Sequence, residues 1–510
     1  MARRFYERSL LAAVLALLAA AAPASAGDGE AGPPAPNAGG GGDADDGGEQ
    51  KDAAAEPLRL SLVELMDRAV LNSRELAAER HRLAAIEAQV EQVFWAPFSG
   101  FSLSGAASVV PDRCIDTELL DDEGVLLNCD GESVAAEEDY STKNWGPTFH
   151  VKLQGGVPLY TFGKISNAKD AVEAGRDAKQ AGLPAIEQRI RYDVQRAYHA
   201  ILAAREMLYT VGQGRKHLVK ARERVEENLA DEEGTETHVD LIKLRVFEVE
   251  VDNIEEQARL IERTALAALR YLVGGPDAQR IDVPDEPQAV VQRDLAPLEA
   301  YLDAALQHRP ELEAIRHAVH ALEANVDLKR AGFWPDLALV LSFRYGVTPG
   351  RTDINNWALK DNYNYGSWVP TFALALEYDL DFGLDIYELD QAKAELAAAV
   401  ADQQRALDAI LLEVREAYLD VESKRASIEM LEKSKRLIRG WIAAVMQGNA
   451  AGLNPSKDVK DALKEYFRVM AQMHQMVGEY NAGLAKLDRV TGEAVIPPGG
   501  DDEDDGGGDQ

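Results

Sequence analysis

In the stretch Phe333-Trp334-Pro335-Asp336-Leu337-Ala338-Leu339-Val340-Leu341-Ser342-Phe343-Arg344-Tyr345, every second residue is large and apolar. Leu337, Leu339, Leu341, Phe343 and Tyr345 share one side, and Ala338, Val340, Ser342 and Arg344 share the other. A period of two belongs to strands, because successive side chains of an extended chain point to opposite faces. A polar loop follows, then Trp368-Val369-Pro370 and a second alternating run in which Phe372, Leu374, Leu376, Tyr378 and Leu380 oppose Ala373, Ala375, Glu377 and Asp379. Each run approaches the 9 to 11 or so residues that a tilted strand needs to cross a bilayer, and tryptophans sit near the ends as in an interfacial belt. The expectation is a membrane-type β-hairpin over about 335–382, with Arg344, Glu377 and Asp379 on the side away from lipid.

The same pattern occurs earlier. Placing Trp334 on Trp95 matches Phe94-Trp95-Ala96-Pro97 to Phe333-Trp334-Pro335, and Asn72-Ser73-Arg74-Glu75-Leu76 to His308-Arg309-Pro310-Glu311-Leu312. An alternating run from Phe101 to Val109 leads into a long acidic loop and then Trp145-Gly146-Pro147, which corresponds to Trp368-Val369-Pro370. After it, Phe149, Val151, Leu153 and Val157 oppose His150, Lys152 and Gln154; further on, Val194 to Tyr198 matches Val414 to Tyr418. Matching points in one order indicate an internal duplication. Repeat 1 is assigned to residues 58–292 with its hairpin at about 98–160, and repeat 2 to residues 293–492.

Helical tracts flank both hairpins. A pattern from about Lys164 to Glu232 covers roughly 70 residues, or about 100 Å. The return helix, Thr237 to Val273, and the helix before the hairpin, Ser61 to Phe94, are each about 50 Å. The second repeat runs from Leu298 to Ala331, Asp385 to Gln447 and Pro455 to Val490 in the same proportions. Stripes such as Leu241, Leu244, Val249 and Val251 read as packing against neighbouring helices. Four strands cannot close a barrel, for which about eight is the practical minimum. Three copies would give twelve strands, so the fold expected is a membrane β-barrel joined to an α-helical barrel, formed by a homotrimer.

Composition fits this outline. Of 510 residues, 46% are hydrophobic and 28% charged, with a net charge of −33. That acidity argues against nucleic acid as a partner, since phosphate contacts require clustered Lys and Arg. A basic start (Arg3, Arg4, Arg8), an apolar stretch from Ser9 to Ala22 and Ala24-Ser25-Ala26 read as a signal peptide over residues 1–26. Residues 27–57 and 493–510, rich in Gly, Pro, Asp and Glu, read as disordered. The two cysteines, Cys114 and Cys129, lie in the acidic loop and are either a loop-internal disulfide, as export would favour, or two free thiols.

From about Leu60 to Gly492 the chain resembles the TolC-like outer membrane efflux protein family. The resemblance rests on the duplicated Glu-Leu element, the proline before the first strand of each hairpin, the Val-x-x-Ala-Tyr tracts and the glycine-containing turns followed by aspartate. It departs from the family after the first hairpin, where Pro158-Leu159-Tyr160-Thr161-Phe162-Gly163 stands for Pro-Leu-Phe-Asp-Gly-Gly, and in the length of the acidic loop. The resemblance implies a trimeric outer-membrane channel in a Gram-negative bacterium, with a helical tunnel in the periplasm. It implies service as the exit duct of a tripartite efflux pump or type I secretion system, alongside a periplasmic adaptor and an inner-membrane pump. The competing reading of the long helices is a periplasmic coiled-coil adaptor, which would not need lipid-facing strands or a belt of Trp95, Trp145, Trp334 and Trp368.

No catalytic constellation, cofactor motif or metal-ligand set is visible. His317 and His320 share a helix face near His308, and read as solvated residues. Asp458 and Asp461, three apart on a helix, also share a face. The resemblance makes them the acidic constriction of the tunnel mouth, whereas a helix begun by Pro455 would favour first-turn aspartates in any case. The resemblance further makes Asp240 part of the closed mouth. The arginine that would pair with it has its place at Asn454, which cannot form an ion pair. The turns Gly234-Thr235-Glu236 and Gly452-Leu453-Asn454 resemble adaptor-docking tips.

Overall fold

In a computed structural model, the residues described are 57–110, 115–120, 126–128, 146–230, 237–347, 369–378, 380–450 and 456–494. They fall into two compact units. One takes 84–177 and 317–400, the other 57–83, 178–316 and 401–494.

The first unit is built on a four-stranded antiparallel sheet. Its strands are β2 (Ser102–Val110), β5 (Gly146–Tyr160), β7 (Asp336–Val347) and β8 (Val369–Glu377), in that spatial order. Each hairpin pairs internally, and β5 pairs with β7 to join the repeats: Leu153 lies opposite Phe343 and Val151 opposite Tyr345. Residues opposite each other in a sheet point to the same face. The register therefore collects Leu103, Val151, Leu153, Leu339, Leu341, Phe372 and Leu374 on one face, and Ser104, Lys152, Gln154, Ser342, Arg344 and Thr371 on the other. The acidic loop of the first hairpin contains a further short antiparallel pair, β3 (Ile115–Leu120) with β4 (Leu126–Asn128), which alternation did not foretell. Beside the sheet, Ile86 and Val93 pack on Ala168 and Val172.

The second unit is helical. Four helices hold its main clusters: α3 (Lys164–Ala230), α4 (His238–Val273), α7 (Phe382–Ala450) and α8 (Ser456–Thr491), of which α3 and α7 contribute residues to both units. Buried Val211, Leu218 and Val225 of α3 meet Leu244, Phe247 and Val251 of α4 and Val459, Leu463 and Phe467 of α8. At another level, Val414 and Ala417 of α7 pack with Leu487 and Val490 of α8 around Tyr301. A short parallel pair, β1 (Leu58–Arg59) with β6 (Ile281–Asp282), closes a third cluster around Leu65, Val194, Ile201 and Leu269. There Arg205 donates to Glu262 (2.8 Å), Asp282 (2.5 Å), Asp285 (3.1 Å) and the Val283 carbonyl (2.8 Å). Using all three of its nitrogens this way lets a mostly buried guanidinium avoid an unpaired charge.

Each helical tract expected to run unbroken up to its hairpin is in fact two helices. The first divides into α1 (Leu62–Asn72) and α2 (Arg74–Trp95), the second into α5 (Leu298–His308) and α6 (Pro310–Ala331). The residues between have the same extended backbone, Ser73 at φ −62, ψ 115 and Arg309 at φ −77, ψ 117. At Arg309 the cause is Pro310, whose ring excludes the helical region for the residue before it. At Ser73 the side-chain oxygen accepts from the Leu76 amide at 3.1 Å and caps the new helix. By contrast Pro184, Gly212 and Gly214 lie inside α3 without ending it.

Candidate functional site

Two places could meet solute or membrane, one in each unit. In the sheet unit, much of the apolar face is exposed. Leu103, Phe372, Leu374 and Leu376 are 73%, 67%, 71% and 70% exposed, in strands whose partners across the register are equally apolar. At the end of the sheet nearest the helices stands a group of aromatic rings. Trp95 meets Phe94 and Phe98 edge to face at 5.6 and 6.0 Å; Trp334 stacks on Phe162 at 5.4 Å, and Phe162 meets Tyr160 at 4.7 Å. Trp95 and Trp334 remain 60% and 55% exposed. Phe162 adopts φ 49, an uncommon left-handed conformation for a residue with a side chain, and Gly163 beside it has φ 93. This is the segment in which the sequence departs from the family pattern. In the sequence Phe94 stands only in the repeat match, Tyr160 and Phe162 only in the departure from the family pattern, and Phe98 in neither, although all four flank the ends of alternating runs. Trp145, Trp368, Cys114 and Cys129 lie outside the described residues.

Close contact inside the sheet depends on glycine at one point. A Cβ on Gly155 would stand 2.4 Å from the Phe101 ring. The ring therefore lies across the bare backbone of β5 and covers it with apolar surface.

In the helical unit, two of the carboxylates singled out in the sequence, Asp240 and Asp461, are held by their own neighbours. Asp240 is the third residue of α4 and closes a capping box. It accepts from the Thr237 amide at 3.2 Å and the Thr237 hydroxyl at 2.7 Å, while Lys243 Nζ lies 3.2 Å away. The Thr237 hydroxyl, with smaller help from Lys243 and the Thr237 amide, holds the Asp240 carboxyl below the usual aspartate range. The pattern Thr237-x-x-Asp240 ahead of an apolar stripe carried this role in the sequence. Asp458 lies in the first turn of α8, partly exposed, and Asp461 one turn on has Lys460 Nζ at 3.1 Å. Ala462 and Leu463, between these carboxylates and Phe467, are buried. Gly234, Thr235, Glu236, Gly452, Leu453 and Asn454 lie outside the described residues.

Of the histidines noted above, His308 meets Glu493 at 3.1 Å, and His317 and His320 lie on α6. Among the described residues no group of three or more His, Cys, Asp or Glu is gathered as a metal centre requires, and no helix is long and apolar enough to cross a membrane.

Comparisons with known proteins bear on this geometry. Residues 301–493 match the family model described as outer membrane efflux protein. The chain is 26% identical over 235 residues to the alkaline protease secretion protein AprF of Pseudomonas aeruginosa, which is 46% of this chain and 47% of that protein. It is 28% identical over 219 residues to protein CyaE of Bordetella pertussis, 43% of this chain and 44% of that one. The aligned stretch thus spans about half the length of these relatives. The fold resembles the crystal structure of the outer membrane protein VceC of Vibrio cholerae with a TM-score of 0.67 at 19% identity, over 85% of this chain and 96% of that one. This is the mixed β and helical architecture of TolC-like channels.

Proposed function

From the premise that residues 301–493 belong to the outer membrane efflux protein family, in a chain with the fold of its outer-membrane channels, we propose that the protein is a passive exit duct for efflux or secretion. One observation carries this reading. The sheet exposes a contiguous apolar face, and among the described residues its outer strands β2 and β8 each pair on one side only. In a bilayer every strand edge must be paired, so such a sheet is viable only as part of a closed barrel. Four strands from each of three copies close a twelve-stranded wall, with the apolar face towards lipid and the polar face towards a water-filled lumen.

The chain performs no reaction in this reading. It crosses the outer membrane of a Gram-negative bacterium as a homotrimer, with Trp95, Trp145, Trp334 and Trp368 at the lipid boundary and a Cys114–Cys129 disulfide in the first outer loop. The turns at Gly234-Thr235-Glu236 and Gly452-Leu453-Asn454 dock a periplasmic adaptor that links the duct to an inner-membrane pump. Three copies of Asp458 and Asp461 ring the tunnel mouth and favour cations there. Asp240, already committed to capping α4, supports that mouth by fixing the start of its helix.

The test is the oligomer and its membrane. A trimer in outer-membrane fractions that runs as a compact band on electrophoresis and converts to a monomer on boiling is the expected result. A soluble monomer released with the periplasm would overturn the duct and favour the coiled-coil adaptor.

A further inference from the structure

The two repeats are joined by residues 283–297, a segment without helix or strand that crosses α3, α8 and α7 in turn. On α3, Arg205 Nη1 donates to the Val283 carbonyl at 2.8 Å, and the backbone amide of Gln288 donates to Glu206 at 3.2 Å. On α8, Asn481 donates to the Ala289 carbonyl at 2.9 Å and accepts from the Val291 amide at 3.1 Å, and Arg293 meets Asp488 at 2.7 Å. Asp294 then reaches Arg425 of α7 at 3.5 Å. The segment is a strap that ties the three helices together.

At one point the strap enters the helix itself. With its side-chain amide oriented to satisfy both partners, Gln288 donates to the His474 carbonyl at 3.1 Å and accepts from the Gly478 amide at 2.9 Å. These two backbone groups lie four residues apart in α8 and are each other's partners in an α-helix. Room for the contact exists because position 478 is glycine. A Cβ there would stand 3.0 Å from Gln288 Nε2, 3.2 Å from Ala203 Cβ and 3.3 Å from the His199 carbonyl oxygen. A side chain inserted into the i→i−4 ladder is a known cause of helix kinks, and glycine adds backbone freedom at the same place. When α8 bends at 474–478, the carbonyl and amide it parts stay bonded through Gln288, so the bend does not orphan buried backbone groups.

We propose that Gly478, held by Gln288 of the inter-repeat strap, is a hinge about which the mouth-bearing arm of α8 swings. The proposal rests on the duct reading, in which Asp458 and Asp461 ring the mouth. From Asp458 to Gly478 is about 30 Å at roughly 1.5 Å per residue, so a kink of about 20° displaces the mouth end of the helix by about 10 Å. The other side of the hinge does not follow, because Asn481 and Asp488 are tied to the strap. Packing of Val459, Leu463 and Phe467 against α3 and α4 makes the straight helix the resting state, and the hinge sets how readily the arm leaves it.

The experiment uses the full-length protein in planar bilayers and reads the open probability. Gly478→Ala stiffens the helix and crowds the strap, and should lower the open probability by about fivefold, the factor that separates alanine from glycine in a helix interior. Gln288→Leu fills the same space without the amide, leaves the parted groups unbonded on bending, and should lower it by at least as much. Gly212→Ala, where a Cβ meets nothing within 4 Å, stiffens α3 beyond its strap contacts and should leave the open probability unchanged. Should one of the first two variants fail to form the trimer, the other decides; failure of both makes Gln288 and Gly478 structural anchors and overturns the hinge. Conducting Gly478→Ala and Gln288→Leu trimers with the open probability of the wild type overturn the hinge while leaving the duct intact, as does an equal fall in Gly212→Ala. A wild-type trimer that opens no channel overturns the duct and the hinge with it.

Discussion

Gly212 and Gly214 lie two residues apart on α3, and alanine at each should move stability in opposite directions. A Cβ on Gly212 meets nothing within 4 Å, whereas one on Gly214 would stand 1.9 Å from Cζ and 2.4 Å from Cε1 of Phe467. Phe467 cannot easily retreat. It is 3% exposed in the cluster that joins α3, α4 and α8, and its ring lies against Phe247 with centroids 6.1 Å apart. Alanine gains about 1 kcal/mol over glycine in a helix interior, and that gain is all Gly212→Ala experiences. At Gly214 the same gain competes with overpacking, about 1–3 kcal/mol for a methyl forced into a filled site, and a contact this short belongs at the upper end. The expected result is stabilisation by about 0.5–1 kcal/mol for Gly212→Ala and destabilisation by about 1–2 kcal/mol for Gly214→Ala. Shortening the obstructing ring, as Gly214→Ala with Phe467→Leu, should recover part of the loss. Denaturant midpoints from the far-ultraviolet helical signal, compared at unchanged slope, measure this. Shifts of the same sign for the two glycines, or a double variant no better than Gly214→Ala, would refute the packing account.

Acid should weaken the helical unit through His199 and His474, each held down to about 4 by burial, with Lys435 adding to the effect at His474. Against an unfolded value of about 6.5, their stabilising contribution is complete above pH 6.5 and is lost as pH falls towards 4, by up to about 3 kcal/mol each; His199→Gln with His474→Gln should flatten the denaturation midpoint across that range, and an unchanged slope would count against it. Glu413 accepts from Arg309 at 2.5 Å and Arg489 at 2.8 Å; burial pushes its pKa up, but the two guanidiniums outweigh it and hold the group below the usual glutamate range. Glu413→Ala leaves the buried Arg309 without that partner and should cost about 3–5 kcal/mol by denaturant titration, with Glu413→Gln costing less; the Glu413 contribution is present above about pH 4.5 and fades as pH falls through the lowered folded value. Asp458→Ala with Asp461→Ala should reduce cation preference in planar bilayers, and unchanged selectivity would remove the acidic ring.

What the sequence made legible was the part governed by local periodicity. Alternation along Asp336 to Tyr345 needs no partner to be recognised, because burial on one face selects every second residue whatever strand lies alongside. Register between strands is another matter. That Lys152 faces Arg344 depends on β5 of one repeat pairing with β7 of the other, a long-range choice that neither hairpin encodes alone. The helix breaks divide in the same way. Pro310 announces the break at Arg309, whereas Ser73 does its capping with a residue that looks like any surface serine in a tract of Ala, Glu and Arg. Asp240 is the converse case. Family resemblance directed attention to a tunnel mouth, while the local pattern Thr237-x-x-Asp240 already specified a capping box, and the geometry shows the carboxylate engaged there.

The similar backbone angles at Ser73 and Arg309, reached by a side-chain cap in one repeat and a proline in the other, show what the two repeats share: a path for the chain, produced by different chemistry in each. The seam between repeats is the longest strand pairing in the sheet, β5 against β7. The strands left at the edges, β2 and β8, come from different repeats. In the proposed twelve-stranded wall, β8 of one copy meets β2 of the next, a heterologous contact that makes a ring where the rotation closes. Joining β8 of one copy to β2 of the next repeats the order of one hairpin beside another already present at the β5–β7 seam. A chain with a single hairpin would need six copies to reach twelve strands; the duplication halves that number and builds half of the seams covalently into the protomer.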